Sequence, residues 1–192
     1  MDQAASASAA GAILRAWSEG AAIETLPAGA RPATRADGYQ VQAALERLSG
    51  SPRVGWKIAA TSTAGQRHIG VSGPIAGRIF ADRVAADGAK VSIARNRMRV
   101  AEPEFAFRFR APIAPRVQTY DIADVLAAVG TLHLAIELPD SRFRDFATAG
   151  EPALVADNAC AHLFVLGPAT TADWRSMDLV EERPVITMGG ER

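Results

Sequence analysis

The chain has 192 residues, 48% of them hydrophobic and 22% charged, with 21 basic and 21 acidic side chains in balance. A formal net charge of zero gives no basic field for nucleic acid or an anionic membrane surface. The single cysteine, Cys160, excludes an internal disulfide framework and a cysteine-rich zinc site.

These bounds fit one domain over residues 1–192, with a helical part at 1–50 and a β-rich part at 51–192. The N-terminus is Ala-rich, but Asp2 and Glu19 carry the wrong charge for an export signal and Arg15 interrupts the apolar run. No stretch approaches the roughly 20 apolar residues of a membrane span. A cytoplasmic location is expected. Nearly all basic residues are Arg; the two lysines are Lys57 and Lys90.

In chain order, residues 9–22 read as a helix capped by Ser8, with Ile13, Leu14 and Trp17 on one face. A loop with two prolines follows at 24–32. A second helix spans 36–48, with Val41, Ala44, Leu45 and Leu48 as its apolar stripe, and ends at Gly50. At 54–60 the period changes to two: Val54, Trp56 and Ile58 share one face of a strand, and Gly55, Lys57 and Ala59 the other. Thr63 and Gln66 have capping-box spacing for a short helix. The glycine-rich stretch 70–77 has neither P-loop nor dinucleotide-fingerprint spacing, and leads to a short strand at 78–81 that ends at Asp82.

Residues 100–110 alternate, with Phe105, Phe107 and Phe109 opposite Glu102, Glu104, Ala106 and Arg108. A helix at 121–129 places Ile122, Val125, Leu126 and Val129 inward, with Gly130 closing it. In the strand at 132–138, Leu132, Leu134, Ile136 and Leu138 are expected inward, with His133, Ala135 and Glu137 opposite. The last strong strand is 162–166. His133 and His162 read as satisfied core histidines, and Cys160 as a small buried residue.

Glu102 and Glu104 are two apart on a strand and so share a face. Like charges that close raise each other's pKa, and a hard divalent cation relieves the repulsion. Ala106 leaves room beside them. Spacing alone also allows an ordinary solvated strand face. Lys57 sits between small neighbours in an apolar strand; it either pairs with a carboxylate or polarises a substrate carbonyl, or packs its stem with its head in water.

Five segments in order then resemble one family. They are Gly55-Trp56-Lys57-Ile58, Gly77-Arg78-Ile79-Phe80-Ala81-Asp82, Glu102-Pro103-Glu104-Phe105-Ala106-Phe107, Ala135-Ile136-Glu137-Leu138-Pro139-Asp140-Ser141-Arg142, and Ala156-Asp157-Asn158-Ala159. Together they look like 2-keto-4-pentenoate hydratases, and like the related 4-oxalocrotonate decarboxylases, of the fumarylacetoacetate hydrolase superfamily. The resemblance implies an α+β fold: N-terminal helices packed on a mixed, rolled β-sheet of the type found in the fumarylacetoacetate hydrolase C-terminal domain. It implies Mg²⁺ or Mn²⁺ held by Glu102, Glu104 and Glu137, and proton transfer by Lys57 and Asp82. Asp157, Asn158, Ser141 and Arg142 would support that site or contact substrate.

The implied reaction is hydration of 2-hydroxypenta-2,4-dienoate-like compounds in aromatic catabolism. The partners would be a small 2-oxo acid or dienol substrate and further copies of the chain, with no nucleic acid and no membrane. Decarboxylation of 4-oxalocrotonate or hydrolysis of an acylpyruvate are the alternatives; the hydrolase would want an early His–Glu pair, for which His68 is a poor candidate. The family pattern extends beyond Arg192, so the chain reads as truncated, and residues 185–190 as a strand entering a turn with no partner strand. A metal-binding relative without turnover is the non-enzyme alternative.

Overall fold

The computed structural model of the chain describes residues 1–183, 185–187 and 189. Its first helix, α1 (Gln3–Glu19), begins six residues earlier than the periodicity suggests. Asp2, not Ser8, is the cap: its carboxylate accepts a hydrogen bond from the Ala5 N–H at 2.7 Å. The Ala/Ser run between offers nothing to stop a helix. Gly20 ends α1 in the left-handed conformation.

Helix α2 (Arg35–Ser49) starts at a capping box of Thr34 and Asp37. The two helices pack through Ala9, Ala10, Ile13 and Trp17 against Val41, Ala44 and Leu45, over a core that takes in Leu26, Phe80 and Phe143. Leu48, expected on the stripe, is exposed. Gln42 ties α2 to the β-rich part, donating to the Ala76 and Val155 carbonyls at 2.8 and 2.7 Å.

Strands β1 (Arg53–Ala59) and β2 (Ile75–Phe80) pair antiparallel as one small sheet, joined through α3 (Thr63–Ile69). Ser62, rather than Thr63, caps α3 by accepting from Gly65. β2 begins earlier than expected, and Asp82 falls just past it in a single 3₁₀ turn, Ala81–Arg83. The second sheet has the order β3-β6-β5-β4, with β3 (Val84–Ala86), β4 (Glu102–Phe109), β5 (Val129–Leu138) and β6 (Leu163–Ala169). β3 runs parallel to β6 and the other pairs are antiparallel, so this sheet is mixed. Helix α4 (Ile122–Ala128) lies between β4 and β5 in the chain, and α5 (Glu151–Ala156) between β5 and β6.

Several facing expectations are reversed. On β5, His133, Ala135 and Glu137 are buried, while Leu134 and Ile136 are exposed. The buried face of this strand carries the polar cluster described below, so its apolar alternates are left outward. α4 runs directly into β5 at Val129 without a Gly130 stop, and its Ile122 and Leu126 are exposed. Residues 185–187 have no regular structure; Met188 and Gly190, the rest of the expected final strand and turn, lie outside the described residues.

One glycine in β2 fixes the approach of a distant loop. A Cβ on Gly77 would stand 2.2 Å from the Asn158 carbonyl oxygen, which is backbone and has nowhere to go. Gly77→Ala should therefore lower stability by about 3 kcal/mol, the upper part of the range for overpacking a fitted site. Gly11→Ala, on α1 with no atom within 4 Å of the added Cβ, should raise it by about 0.5–1 kcal/mol. Urea midpoints check both; equal midpoints for Gly77→Ala and the parent would show that the contact carries no strain.

Candidate metal centre

The antiparallel register sets Glu102 on β4 directly opposite Glu137 on β5, and Glu104 opposite Ala135. Side chains two apart share a face and cross-strand partners point the same way, so all three carboxylates converge. Oxygens of Glu102, Glu104 and Glu137 lie within 4.8 Å of one another. Ala135, opposite Glu104 and two residues from Glu137, adds only a methyl group to this face.

Lys57 reaches this cluster from the other sheet. Its Nζ is 3.0 Å from Glu137 Oε2 and donates to the Ala159 carbonyl at 3.2 Å, and both side chains of the ion pair are almost fully buried. The small neighbours Gly55 and Ala59 let the β1 face that bears Lys57 turn inward, leaving Val54, Trp56 and Ile58 outside. Burial works against the Lys57 charge, but Glu137, Cys160 and Glu102 outweigh it and leave its pKa above the ordinary lysine value. Glu137 is pushed up to about 7 by burial, with Lys57 pulling it down and Glu102 and Glu104 adding repulsion. Glu104 is raised as well, again mainly by burial.

The donor set fits a hard cation. Three carboxylates against one ammonium leave two negative charges, the amount a divalent ion cancels, and oxygen-only ligands suit Mg²⁺, Mn²⁺ or Ca²⁺. Glu137 Oε2 is buried and makes no aligned hydrogen bond, so it has a lone pair to give despite its proximity to Lys57.

Behind Lys57 lies a buried turn. Asn158, Ala159 and Cys160 all have positive φ, near 58°, 51° and 61°, which non-glycine residues rarely adopt. Polar contacts hold it there. Asn158 accepts from the Arg78 N–H at 2.6 Å and donates to the Arg78 carbonyl at 2.9 Å. Asp157 accepts from Ser141 Oγ at 2.7 Å and from the Arg142 N–H at 2.8 Å. Arg142 is ion-paired to Asp140, and both are buried. Burial drives Asp157 up to about 7 against these donors, and Cys160 up to about 12, which makes it an inert thiol. Asp157, Asn158, Ser141 and Arg142 thus meet as one network, and it presents the Ala159 carbonyl to Lys57.

Asp82 is not drawn into the carboxylate cluster. Its side chain is largely exposed, 3.5 Å from Arg83. His133 is satisfied, its ring nitrogens 2.9 Å from Thr131 Oγ1 and the Gly167 carbonyl. His162 departs from the reading given to it: Nδ1 is buried without a partner, and the ring lines a narrow cavity together with Lys57, Glu137, Arg78 and Arg83. A histidine in an apolar strand gives no sign of which wall it joins. The left-handed turn was equally silent, having no glycine.

No family model matches the chain. The 2-keto-4-pentenoate hydratase of Burkholderia vietnamiensis is 33% identical over 152 residues, which are 79% of this chain and 56% of that protein. The 2-hydroxypent-2,4-dienoate hydratase of Pseudomonas putida is 33% identical over 160 residues, 81% of this chain and 70% of that one. In three dimensions the chain is similar to 4-oxalocrotonate decarboxylase from Pseudomonas putida G7, solved with magnesium and adipate: TM-score 0.75, 26% identity, 87% of this chain and 64% of that one. The chain belongs to the 2-keto-4-pentenoate hydratase and 4-oxalocrotonate decarboxylase family. It spans 56% of the length of each of the first two hydratases it matches. Among the described residues no helix is long and apolar enough to cross a membrane.

His162 also makes stability depend on pH. Burial, aided by Arg142 and Arg83, lowers its pKa to about 4 in the folded chain, against an ordinary value of 6.5. Between those values the unfolded state holds more of the proton on this group, so the contribution of His162 to stability falls as pH drops from 6.5 towards 4, against the opposite trend of Glu137 and Asp157, whose raised pKa values favour the folded state as pH falls. Relative to His162→Gln, the parent's melting temperature should therefore fall as pH drops across this window. Parallel melting curves for the two proteins from pH 7 to 5 would exclude His162 as the source.

Proposed function

We propose that this chain carries the active site of a divalent-metal-dependent hydratase that adds water to 2-hydroxypenta-2,4-dienoate-like compounds in aromatic catabolism. The observation that carries the reading is the convergence of Glu102, Glu104 and Glu137 beside a buried lysine, in a chain of this family. Glu102, Glu104 and Glu137 would hold Mg²⁺ or Mn²⁺. When bound, the ion supplies Lewis acidity towards the 2-oxo group of the substrate.

Lys57 holds a proton at Nζ beside the cluster and is the proton donor or acceptor for the dienol. Asp82, exposed beside Arg83 and outside the carboxylate cluster, would be the second proton carrier. Proton delivery to the chain end converts the dienol to an unsaturated ketone, and water then adds across its double bond. Asp157, Asn158, Ser141 and Arg142 fix Lys57 through the Ala159 carbonyl. The sheet would roll as in fumarylacetoacetate hydrolase, residues 1–192 would act as one domain, and the working form would be a cytoplasmic homo-oligomer.

Decarboxylation of 4-oxalocrotonate is the second reading, favoured by the similarity to the magnesium-bound decarboxylase structure. The same lysine and carboxylates would serve loss of CO₂.

Purified chain should convert 2-hydroxypenta-2,4-dienoate in the presence of Mg²⁺ or Mn²⁺ and lose the activity to a chelator. Release of CO₂ from 4-oxalocrotonate instead would favour the second reading. Metal binding without turnover of either compound would favour a non-catalytic relative. Glu104→Ala should weaken metal binding by calorimetry at least about 100-fold, the upper end of what losing even an outer partner costs. Unchanged affinity would remove Glu104 from the ligand set.

A further inference from the structure

We propose that the narrow cavity between β2 and the start of β6 seats the single water molecule that adds to the substrate, with His162 as its positioning residue. The inference rests on the hydratase reading above.

The cavity has about 10 Å³ of room for the centre of a water-sized sphere, close to what one water needs. Phe80, Leu163 and Phe164 wall it with hydrocarbon; Lys57 and Glu137 line it together with His162. His162 Nδ1 and Arg78 Nη1 are lining atoms buried without a hydrogen bond, while Glu137 Oε2 and Arg78 Nε stand 3.0 Å from Lys57 and Glu46, respectively, in ion pairs. Buried polar groups left unpaired are rare and costly, and a buried water ordinarily serves two to four of them. One water in the cavity would serve both His162 Nδ1 and Arg78 Nη1. It would also lie against the same Lys57 and Glu137 that border the carboxylate cluster.

His162 is suited to orient that water. Its ring meets Trp17 edge-on at 6.2 Å between centroids, which fixes its plane. With its pKa near 4 the imidazole is neutral at pH 7, so it adds no charge beside Lys57. Its Nδ1 then accepts one water O–H and Arg78 Nη1 donates to the oxygen, which leaves the second lone pair for the substrate.

The addition balances without a further reagent. The water oxygen bonds to the β-carbon of the unsaturated ketone, and the C=C electron pair shifts towards the 2-oxo group. One water proton leaves the oxygen and a proton is delivered to the α-carbon, so H and OH end across the former double bond.

A crystal structure of the parent protein should show a water within about 3 Å of His162 Nδ1. An empty cavity overturns the proposal. In turnover, His162→Leu should lower the ratio of hydrated product to unsaturated ketone about tenfold, the loss expected when one orienting hydrogen bond is removed. His162→Gln, which keeps a polar partner, should restore much of that ratio. An unchanged ratio in His162→Leu overturns the positioning role. Failure of the parent protein to consume the dienol at all overturns the hydratase reading and the role in addition together, and the crystallographic water then stands apart from both.

Discussion

The ion pair between Lys57 and Glu137 joins two sheets that otherwise share no ladder. An ammonium and a carboxylate taken out of water lose hydration that their mutual attraction only partly repays. The pair is tolerable because each partner has further company. Lys57 also donates to Ala159, and Glu137 lies among carboxylates that, together, ask for more positive charge than one lysine supplies. The electrostatic imbalance of the site and its mechanical role in holding the sheets together thus share one cause.

The backbone around residues 157–160 shows what this arrangement requires. Three successive non-glycine residues with positive φ are costly, and they persist because Asn158 is locked to Arg78 and Asp157 to Ser141 and Arg142. Gly77 supplies the space for that close approach. The strained turn brings a carbonyl oxygen, that of Ala159, to a buried lysine.

Part of this was legible in the sequence. Period-two alternation placed Glu102 and Glu104 on one face of a strand, and the small residues flanking Lys57 marked an unusual strand face. The family resemblance supplied Glu137, Asp157 and Asn158, residues whose partners lie 15 or more positions away and which no local pattern could connect. Facing was misjudged on β5. Leu134 and Ile136 obey the apolar alternation, but the strand buries the opposite side because that is where the carboxylates and Lys57 meet. The start of α1 was misplaced for a simpler reason: an Ala-rich run has no periodicity until Ile13, while the decisive signal was the single cap at Asp2. His162 and the left-handed turn depend on tertiary contacts alone.

The scarcity of lysine has a practical side. Apart from the chain's own amino group, which is ion-paired to Asp37, the only primary amines are those of Lys57 and Lys90. Lys90 is exposed, whereas the Lys57 amine is enclosed between the two sheets. An amine-directed reagent therefore meets Lys90 at the rate set by solvent encounter and Lys57 only when the sheets part. The ratio of modification at these two positions reads the local opening of the site directly, with Lys90 as an internal clock in the same molecule.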